Sequence, residues 1–427
     1  MSRIVVLGAG LTGLSAAAGL RRRGQGCTVL ERETEVGGAC RTLHRDGFDF
    51  DLTGHLLHLS REDSLQRIEA LRLRPKLRRH VRRSGVALAG TVTPYPIQIN
   101  TFRLPPAVRR DCLLGFLEAQ GRPEAPESGS FAAWALSRFG EGLCRHFFYP
   151  YNRKLFCANP EDFTADWVGR FVPRPRLEDV VDGAFGRYHQ PVGYNASFFY
   201  PRRGGISLLA ETMARGVGEL RLGCGVRALH LGERRGELES GEGFDWDRLI
   251  ATASLLHLAD LCVDLPTEAR AAARELRAVA VCNLNLGVDG PPPRREHWLY
   301  VPEERYPFYR VGFPSNHGRV APAGCHTVSV EVSVPMGAPA PEGLWDRCLD
   351  GLEELGLLRR ERVAVRVEVR VDPGYVVFDR ARAWAVDTLR RCLAAAGVVL
   401  AGRWAEWKYA SMEDALHDGF AAAEACR

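Results

Sequence analysis

The opening segment of the chain carries the pattern that most constrains the fold. A short apolar, β-rich run at 2–7 leads into glycines at positions 8, 10 and 13, in the spacing GxGxxG. A helical pattern then extends to about residue 23, and a second strand pattern at 27–30 ends at Glu31. A strand, a glycine-rich turn, a helix and a second strand form a βαβ unit. The chain is therefore predicted to begin with a Rossmann-like α/β domain.

The glycines and the acidic residue predict what this unit binds. Gly8 allows a tight turn, Gly10 lets the backbone approach a pyrophosphate, and Gly13 allows close packing of the helix. The N-terminus of the helix presents partial positive charge to phosphates. Glu31 stands where a carboxylate accepts hydrogen bonds from both ribose hydroxyls, which disfavours a 2′-phosphate. A lone GxGxxG is weak evidence, but its flanking strand and acid predict a dinucleotide site.

A second glycine pair favours FAD as the dinucleotide. Gly37-Gly38 follows Glu31 and is followed by Arg41. This arrangement resembles the extension with which two-domain FAD oxidases and mutases wrap the flavin diphosphate, and a simple Gly-Gly turn is the alternative. Val226 is expected near the adenine. Arg403 and Met412 are further cofactor-side candidates, and Arg403 could face either cofactor or substrate phosphates.

The length of 427 residues predicts two or three structural units. Helical patterns occur at 64–73, 107–119 and 131–147, interrupted by a Pro-rich loop at 91–106. Strand patterns occur at 225–229, 237–238, 249–253, 278–286, 327–334, 363–371 and 398–400, before a final helix at 412–426. The predicted fold is a discontinuous FAD-binding domain (1–85, 200–262 and 385–427), a mainly helical substrate or lid domain (86–199) and a mainly antiparallel substrate-side sheet (263–384).

Composition excludes several classes of site. The 12 cysteines form no CxxC pair, so reduced thiols are expected and no zinc or disulfide is assigned. The net charge of +5 comes almost wholly from arginine, and the basic clusters at 21–23 and 78–83 are expected on solvated helix faces, without a nucleic-acid partner. No export signal and no apolar run of membrane-spanning length is visible, so the expected location is cytoplasmic.

Several separated motifs are spread across most of the chain. They are TGHLLH at 53–58, PYPIQIN at 94–100, PYNRKLF at 150–156, YNASF at 194–198 with the later YP and GG pairs, WLYVPE at 298–303 leading to PFYR at 307–310, and GRW at 402–404 with WKY at 407–409. In sequence and in order these motifs resemble the UDP-galactopyranose mutase family, particularly its eukaryotic-type branch.

The resemblance implies an isomerase that interconverts the pyranose and furanose forms of a nucleotide-linked sugar without net oxidation. It implies that FAD acts in its reduced form, with flavin N5 as the nucleophile toward the anomeric carbon. An external reductant such as NAD(P)H or a reductase is then required, and a homo-oligomer is compatible with the family. Arginine suits the departing diphosphate because its planar donors match phosphate oxygens.

Residues matching the family's motifs are the predicted site. His55 matches the histidine beside the flavin, and Arg310 matches a phosphate-binding arginine. His58, His189 and His417 receive no role. The predicted substrate-side residues are Tyr95, Ile97, Gln98, Asn152, Asn195, Tyr300, Arg310, His317, Tyr375 and Tyr409.

The chain also departs from the family's pattern at positions that the family uses to recognise its substrate. Phe171 occupies the slot of a second phosphate-binding arginine, for which Arg170 and Arg174 are candidate replacements. His317 stands where the eukaryotic-type pattern has tyrosine. Phe156, Ile97 and Ala39 are further departures. The sugar therefore need not be galactose, nor the nucleotide UDP.

The sequence is also compatible with two other functions. An FAD oxidase or desaturase of the amine oxidase or protoporphyrinogen oxidase type shares the glycine motif, the acid and the glycine pair. The second alternative is a protein that holds flavin without catalysing a reaction. The replacement of one phosphate-binding arginine suggests this alternative.

Overall fold

A computed structural model describes residues 3–172, 174–187 and 195–426. The strands are β1 (Ile4–Leu7), β2 (Thr28–Leu30), β3 (Thr42–Arg45), β4 (Phe48–Asp51), β5 (Leu77–Val81), β6 (Ser84–Leu88), β7 (Thr91–Pro94), β8 (Ser197–Pro201), β9 (Glu219–Arg221), β10 (Val226–His230), β11 (Arg235–Leu238), β12 (Gly243–Asp245), β13 (Arg248–Ala251), β14 (Ala278–Asp289), β15 (Trp298–Tyr300), β16 (Arg310–Gly312), β17 (Cys325–Pro335), β18 (Val363–Val376) and β19 (Val398–Leu400).

The α-helices alternate with these strands in the N- and C-terminal parts and cluster together in the middle of the chain. They are α1 (Leu11–Arg22), α2 (Glu62–Ala70), α3 (Pro106–Ala119), α4 (Phe131–Leu143), α5 (Tyr149–Phe156), α6 (Leu177–Ala184), α7 (Ser207–Ala214), α8 (Leu255–Leu261), α9 (Thr267–Glu275), α10 (Leu344–Glu354), α11 (Arg382–Ala395), α12 (Gly402–Ala405) and α13 (Met412–Ala425).

The first sheet confirms the predicted Rossmann-like unit. Its strand order is β19-β13-β1-β2-β9, and every pairing is parallel. Helix α1 packs against α13, and the two helices approach backbone to backbone because Gly19 and Gly419 lack side chains: a Cβ on Gly419 would lie 2.2 Å from the Thr12 carbonyl oxygen. Helix α13 begins at a capping box in which Ser411 and Asp414 satisfy each other's backbone amides.

The second large sheet is mixed and has the order β18-β14-β17-β16-β15-β6-β7. Its long strands β14, β17 and β18 pair antiparallel and extend the patterns predicted at 278–286, 327–334 and 363–371. β15 pairs with β6 in parallel, so a short segment from the first hundred residues joins a sheet built mainly from the last third. The proposed domain boundary at 85/86 falls inside β6, and the division into domains stays a prediction.

The middle of the chain contains the predicted helical region, with α3 and α4 near 107–119 and 131–147. Its core is a set of stacked aromatic rings, including Phe131, Phe139, Phe148 and Trp167. Each buried ring stabilises the fold by roughly 1.5–3 kcal/mol. The interior of this region is thus apolar.

Two local predictions were wrong. The segment 91–106, predicted as a loop, begins with strand β7, which pairs with β6. The cluster at 78–83, expected on a helix face, lies largely on strand β5, which pairs antiparallel with β8 from Leu77↔Pro201 to Val81↔Ser197. The partner strand is more than a hundred residues away, so the local charge pattern did not indicate it. Within the described ranges, no helix is long and apolar enough to cross a bilayer.

Candidate functional site

A cavity of about 940 Å³ is lined by residues of both large sheets. One part of its wall is the glycine-rich turn after β1 together with Glu31 at the end of β2. Another part is formed by polar and aromatic side chains of the mixed sheet and of the segment before α13. These include Tyr300, Arg310, Tyr375, Arg403 and Tyr409. We call the first part the Glu31 end and the second part the Tyr409 end.

The glycine turn is shaped to hold a diphosphate. Gly8 has a φ of +98°, and a Cβ there would lie 2.5 Å from the Thr252 hydroxyl oxygen. A Cβ on Gly13 would lie 1.9 Å from the Gly8 carbonyl oxygen, so only glycine lets α1 start this close to β1. Gly10 is the N-cap of α1 and provides no capping side chain, which leaves first-turn amides available to an anion.

Glu31 lies at the other side of this turn. Its side chain is buried, and its two oxygens accept hydrogen bonds from the backbone amides of Ala9 (2.6 Å) and Glu33 (2.9 Å). Each carboxylate oxygen has a further lone pair, so Glu31 can still accept hydrogen bonds from ribose hydroxyls. The backbone amide of Cys224 bonds the Glu31 carbonyl, which places the cavity-lining Val226 in the neighbouring segment.

The glycine pair completes this end of the cavity. Gly37 has a φ of +114°, and a Cβ there would lie 2.8 Å from the Cys40 carbonyl oxygen. Gly38 lies directly against Gly10, since a Cβ on Gly38 would be 3.4 Å from the Gly10 Cα, and Arg41 donates to the Gly38 carbonyl and pairs with Glu33 at 3.3 Å. These adjacent glycines leave the cavity wall free of side chains next to a guanidinium, which fits the diphosphate of a dinucleotide.

Toward the Tyr409 end, a buried carboxylate connects the predicted arginine to the histidine loop. Glu331 on β17 is only 2% exposed, and both of its oxygens accept from Arg310 at 2.6 Å. It also accepts from the Tyr309 hydroxyl (2.6 Å) and from the Gly54 amide (3.0 Å). Although burial opposes ionisation, Arg310 lowers the pKa of Glu331. The pair is therefore ionised and fixes Arg310 in the cavity wall.

His55 follows Gly54 in this loop and also lines the cavity. Burial lowers the pKa of His55 to about 4, so its imidazole is neutral at pH 7. Its Nδ1 lies 3.0 Å from the Thr53 carbonyl oxygen. Because a carbonyl only accepts, Nδ1 carries the proton and Nε2 is the acceptor nitrogen.

Aromatic rings surround a second arginine at this end. The Tyr375 and Tyr409 rings stack at 5.9 Å, and the Arg403 guanidinium carbon lies 4.8 Å and 5.1 Å from their centroids. Arg403 donates to the carbonyls of Ala410 and Gly374, both at 3.0 Å. Arg403 has no carboxylate partner in the described ranges, so its charge is available to an anion in the cavity.

The structure brings many of the predicted site residues together in this cavity. Gly13 supports the turn from behind, and Tyr95 contacts the Tyr300 ring at 4.6 Å without itself lining the cavity. The predicted residues that line the cavity are Gly8, Gly10, Glu31, Gly38, Arg41, His55, Asn195, Val226, Tyr300, Arg310, His317, Tyr375, Arg403, Tyr409 and Met412.

Three predicted substrate residues lie elsewhere. Ile97 and Gln98 are buried after β7, and Gln98 borders a small separate cavity with Arg174. Asn152 on α5 is buried and donates to the Phe148 carbonyl at 2.8 Å. None of the three lines the main cavity in the described structure, so their contact with substrate stays a prediction.

The departures from the family's pattern can also be located. Phe171 lines the cavity, and its ring contacts Tyr409 edge-on at 4.6 Å. Arg174, a candidate replacement for the missing arginine, is paired with Glu124 instead. The side chain of Arg170 and the residues His189 and Tyr194 lie outside the described residues. His317 is buried beside Tyr200, with ring centroids 4.5 Å apart, and burial lowers its pKa.

Sequence reasoning did not identify Glu331 or Tyr309. Glu331 lies inside a strand whose neighbours are nearly all buried, and a lone acid in such a strand is costly unless it is paired. The pattern SVEVSV at 329–334 carries that signal. The same pattern does not show that Arg310 is the partner of Glu331.

Comparison with known proteins agrees with this architecture. The chain is similar to a crystal structure of reduced UDP-galactopyranose mutase, with 26% identity, a TM-score of 0.92 and coverage of 99% of this chain and 95% of that one. It shares its fold with a putative protoporphyrinogen oxidase from Exiguobacterium sp. 255-15 (18% identity, TM-score 0.76, 99% and 98% covered) and with cyclohexylamine oxidase from Brevibacterium oxydans IH-35A (16%, 0.68, 100% and 98%).

Matches to curated sequences are short. A 4,4'-diapophytoene desaturase from Staphylococcus aureus (strain bovine RF122 / ET3-1) is 48% identical over 50 residues, which cover 12% of this chain and 10% of the desaturase. An all-trans-retinol 13,14-reductase from Macaca fascicularis is 42% identical over 64 residues, or 15% of this chain and 10% of the reductase. These matches span about a tenth of the relatives' length. The family model for flavin containing amine oxidoreductase, in contrast, matches residues 11–427, and the chain belongs to that family.

Proposed function

We propose that this protein is a flavin-dependent mutase that interconverts the pyranose and furanose forms of a nucleotide-linked sugar. One observation carries the proposal: a single cavity joins a dinucleotide-shaped end to an end with two arginines and three tyrosines. The similarity to reduced UDP-galactopyranose mutase over nearly the whole chain supports it. Membership of the eukaryotic-type branch is part of the proposal.

Residues at the Glu31 end fit FAD. The amides after Gly10 and the Gly37-Gly38 pair would hold the diphosphate, and Glu31 would accept from the ribose hydroxyls. Arg41, Val226 and Met412 would complete the contacts. In its reduced form FAD supplies a nucleophilic nitrogen, N5, to the anomeric carbon. An external donor such as NAD(P)H or a reductase would be needed to reduce it.

Residues at the Tyr409 end would bind the departing diphosphate. Arg403 offers an unpaired charge, and the hydroxyls of Tyr300, Tyr375 and Tyr409 can donate to phosphate oxygens. Arg310 keeps donors beyond those used by Glu331, in an orientation that Glu331 fixes. Because these groups are already ordered before substrate arrives, binding requires little reorganisation.

His55 would act on the sugar as a neutral group. Its proton lies on Nδ1 toward Thr53, so Nε2 can accept a hydrogen bond from a sugar hydroxyl. The aromatic rings around Tyr409 would limit the access of water to the anomeric carbon, which would protect it from hydrolysis. Asn195 and His317 would contact the sugar, and His317 is expected to alter which sugar is accepted.

The test is to reduce the purified protein with dithionite, incubate it with a panel of nucleotide hexoses and look for furanose products by anomeric NMR. A furanose signal that requires reduced flavin supports the proposal. Its absence with every sugar, together with no competition by nucleotide sugars for binding, contradicts it.

An FAD-dependent oxidase or desaturase is the second candidate, because the chain belongs to the flavin containing amine oxidoreductase family. In that case the same cavity would hold an amine or porphyrinogen, and oxygen would be consumed steadily in its presence. Two measurements separate the candidates: furanose formation by the dithionite-reduced protein indicates the mutase, whereas steady oxygen consumption with an amine or a porphyrinogen, measured without dithionite, indicates the oxidase. A protein that retains FAD but shows neither reaction and binds no nucleotide sugar would be a flavin-holding partner.

A further inference from the structure

Exposed cations are concentrated at one place on the surface that the proposed reaction does not use. It lies along β5, β8 and the segment after His317. We call it the basic ribbon. Its members are Arg74, Lys76, Arg78, Arg83, Arg202, Arg203 and Arg319, all of which are exposed.

Backbone hydrogen bonds place these segments side by side. The Arg202 amide donates to the Lys76 carbonyl at 2.9 Å, and the Arg319 amide donates to the Arg202 carbonyl at 3.1 Å. Arg203 and Arg319 form a β-bridge. Three stretches of chain that are far apart in sequence thus bring their cations to one surface.

The basic ribbon lacks compensating acids. No described carboxylate lies within 4.0 Å of the charged groups of its seven members, whereas exposed arginines elsewhere, such as Arg360 and Arg390, pair with aspartates. The sequence contributes to this imbalance, because no Asp or Glu occurs between Glu69 and Asp111. The surface therefore carries a local positive field.

The effect of that field is visible on His80 of β5. Burial is the largest cause that lowers the pKa of His80, and the charges of Arg78, Arg83 and Arg202 lower it further. Cations from two separated segments of the chain thus act on one imidazole. Like charges brought together without acids repel one another and destabilise the fold unless an anion binds.

Protection of an edge strand explains only part of this arrangement. β5 is an edge strand, and Lys or Arg on such a strand discourages pairing with a second chain. Edge protection accounts for the charge of Arg78. It does not account for Arg202, Arg203 or Arg319, which lie beyond the strands. The concentration of charge across three segments requires another explanation.

We propose that the basic ribbon docks the protein on an anionic phospholipid surface. Guanidinium groups match phosphate oxygens with paired donors, and six of the seven members are arginines. Single-stranded nucleic acid fits less well, because its bases stack on exposed aromatic rings and the large apolar side chain exposed on β5 is Val81. A group of exposed cations without carboxylate partners suits the phosphates of anionic lipid headgroups.

The test uses FAD-loaded protein and sedimentation with vesicles. One set is phosphatidylcholine alone, and the other is phosphatidylcholine mixed with phosphatidylglycerol. The variant R202Q/R203Q/R319Q removes three cations without touching β5. The matched control R360Q/R390Q/R391Q removes the same charge from arginines that have acidic partners.

We expect the wild type to bind the anionic vesicles selectively and to lose binding as salt is raised, because the Debye length shortens. Each cation near an anionic surface contributes about fivefold in partitioning, so the triple variant should bind about 100-fold more weakly, with less than about a threefold change in the control. FAD content should match the wild type in both variants, and the unfolding temperature of the triple variant should not fall, because the variant removes like charges that repel one another.

Equal binding to neutral and anionic vesicles, or equal losses in the variant and the control, would overturn the proposal. Labelled single-stranded DNA that binds more tightly than the vesicles at the same salt would overturn it in favour of nucleic acid. If the triple variant does not fold, the vesicle selectivity and salt dependence of the wild type still decide the question.

Discussion

At the Glu31 end of the cavity the groups that face a ligand are mostly backbone atoms, whereas at the Tyr409 end they are side chains from separated parts of the chain. The Glu31 end is made by glycines that allow close approach and by one carboxylate within the first 41 residues. The Tyr409 end needs β15, β16, β17, β18 and the segment before α13 to converge. The groups that face a ligand thus come mainly from one short segment at the Glu31 end and from separated segments at the Tyr409 end, which the proposed function assigns to cofactor and substrate respectively.

The largest expected effect tests the local character of the Glu31 end. Gly13→Val would place side-chain atoms against the Gly8 carbonyl, where even a Cβ would lie 1.9 Å away. We expect the purified protein to contain essentially no FAD, as measured by flavin absorbance. The control is Gly26→Ala, at a glycine whose Cβ would meet nothing within 4 Å. Full FAD occupancy in Gly13→Val would show that the turn can rearrange.

The next prediction concerns the long-range assembly of the Tyr409 end. Glu331→Ala leaves Arg310 in the cavity wall without its carboxylate, and removal of one partner of a buried pair costs about 3–5 kcal/mol. Chemical denaturation should show this loss in the free energy of unfolding. Glu331→Gln keeps the shape and should lose less. An unchanged free energy in Glu331→Ala would mean that solvent compensates Arg310.

The pH dependence of stability should also come from this region. Burial lowers the pKa of His297, in the cavity wall, from 6.5 to about 3. The unfolded chain then binds the proton more readily, so stability is complete above pH 6.5 and is lost as pH falls toward about 3. Between pH 6.5 and about pH 4 the loss should be on the order of 3 kcal/mol. His297→Asn should flatten the dependence, and identical slopes would contradict this assignment.

The smallest expected effect distinguishes a role in substrate binding from a role in cofactor binding. Arg310→Ala removes charge-assisted donors and should weaken nucleotide-sugar binding by about 1.5–3 kcal/mol, while FAD occupancy is retained. Fluorescence competition measures the first quantity, and absorbance measures the second. Since the variant also leaves Glu331 unpaired, Arg310→Lys serves as the control that keeps the charge. Unchanged affinity in both variants would remove Arg310 from the site.

The same contrast explains what the sequence could predict. The βαβ unit and the long strands follow from local patterns, and the structure confirms them as β1, α1, β2, β14, β17 and β18. Local patterns did not predict that β5 is a strand, because its partner β8 is distant in sequence. Glu331 was missed for the same reason: the Gly54 amide that it binds is 277 residues away.

Family resemblance located part of the site that local patterns could not. It indicated Arg310, Tyr375 and Tyr409 before any geometry was known, and all three line the cavity. It also indicated Ile97, Gln98 and Asn152, which are buried away from it. A motif match gives the position of a residue in the chain, but the direction of its side chain depends on the packing around it, which the motif does not specify.

The close contact between α1 and α13 joins the beginning of the chain to its last helix. Helix α1 carries the phosphate-binding turn, yet its Thr12 and Gly19 rest on Gly419 and Ala423, more than four hundred residues later. Strand β1 likewise lies between β2 and β13, so its sheet is incomplete while only the first domain-sized segment has left the ribosome. The first part of the site to be translated therefore reaches its final packing only when β13 and α13 are in place, so we expect stable flavin binding to require both.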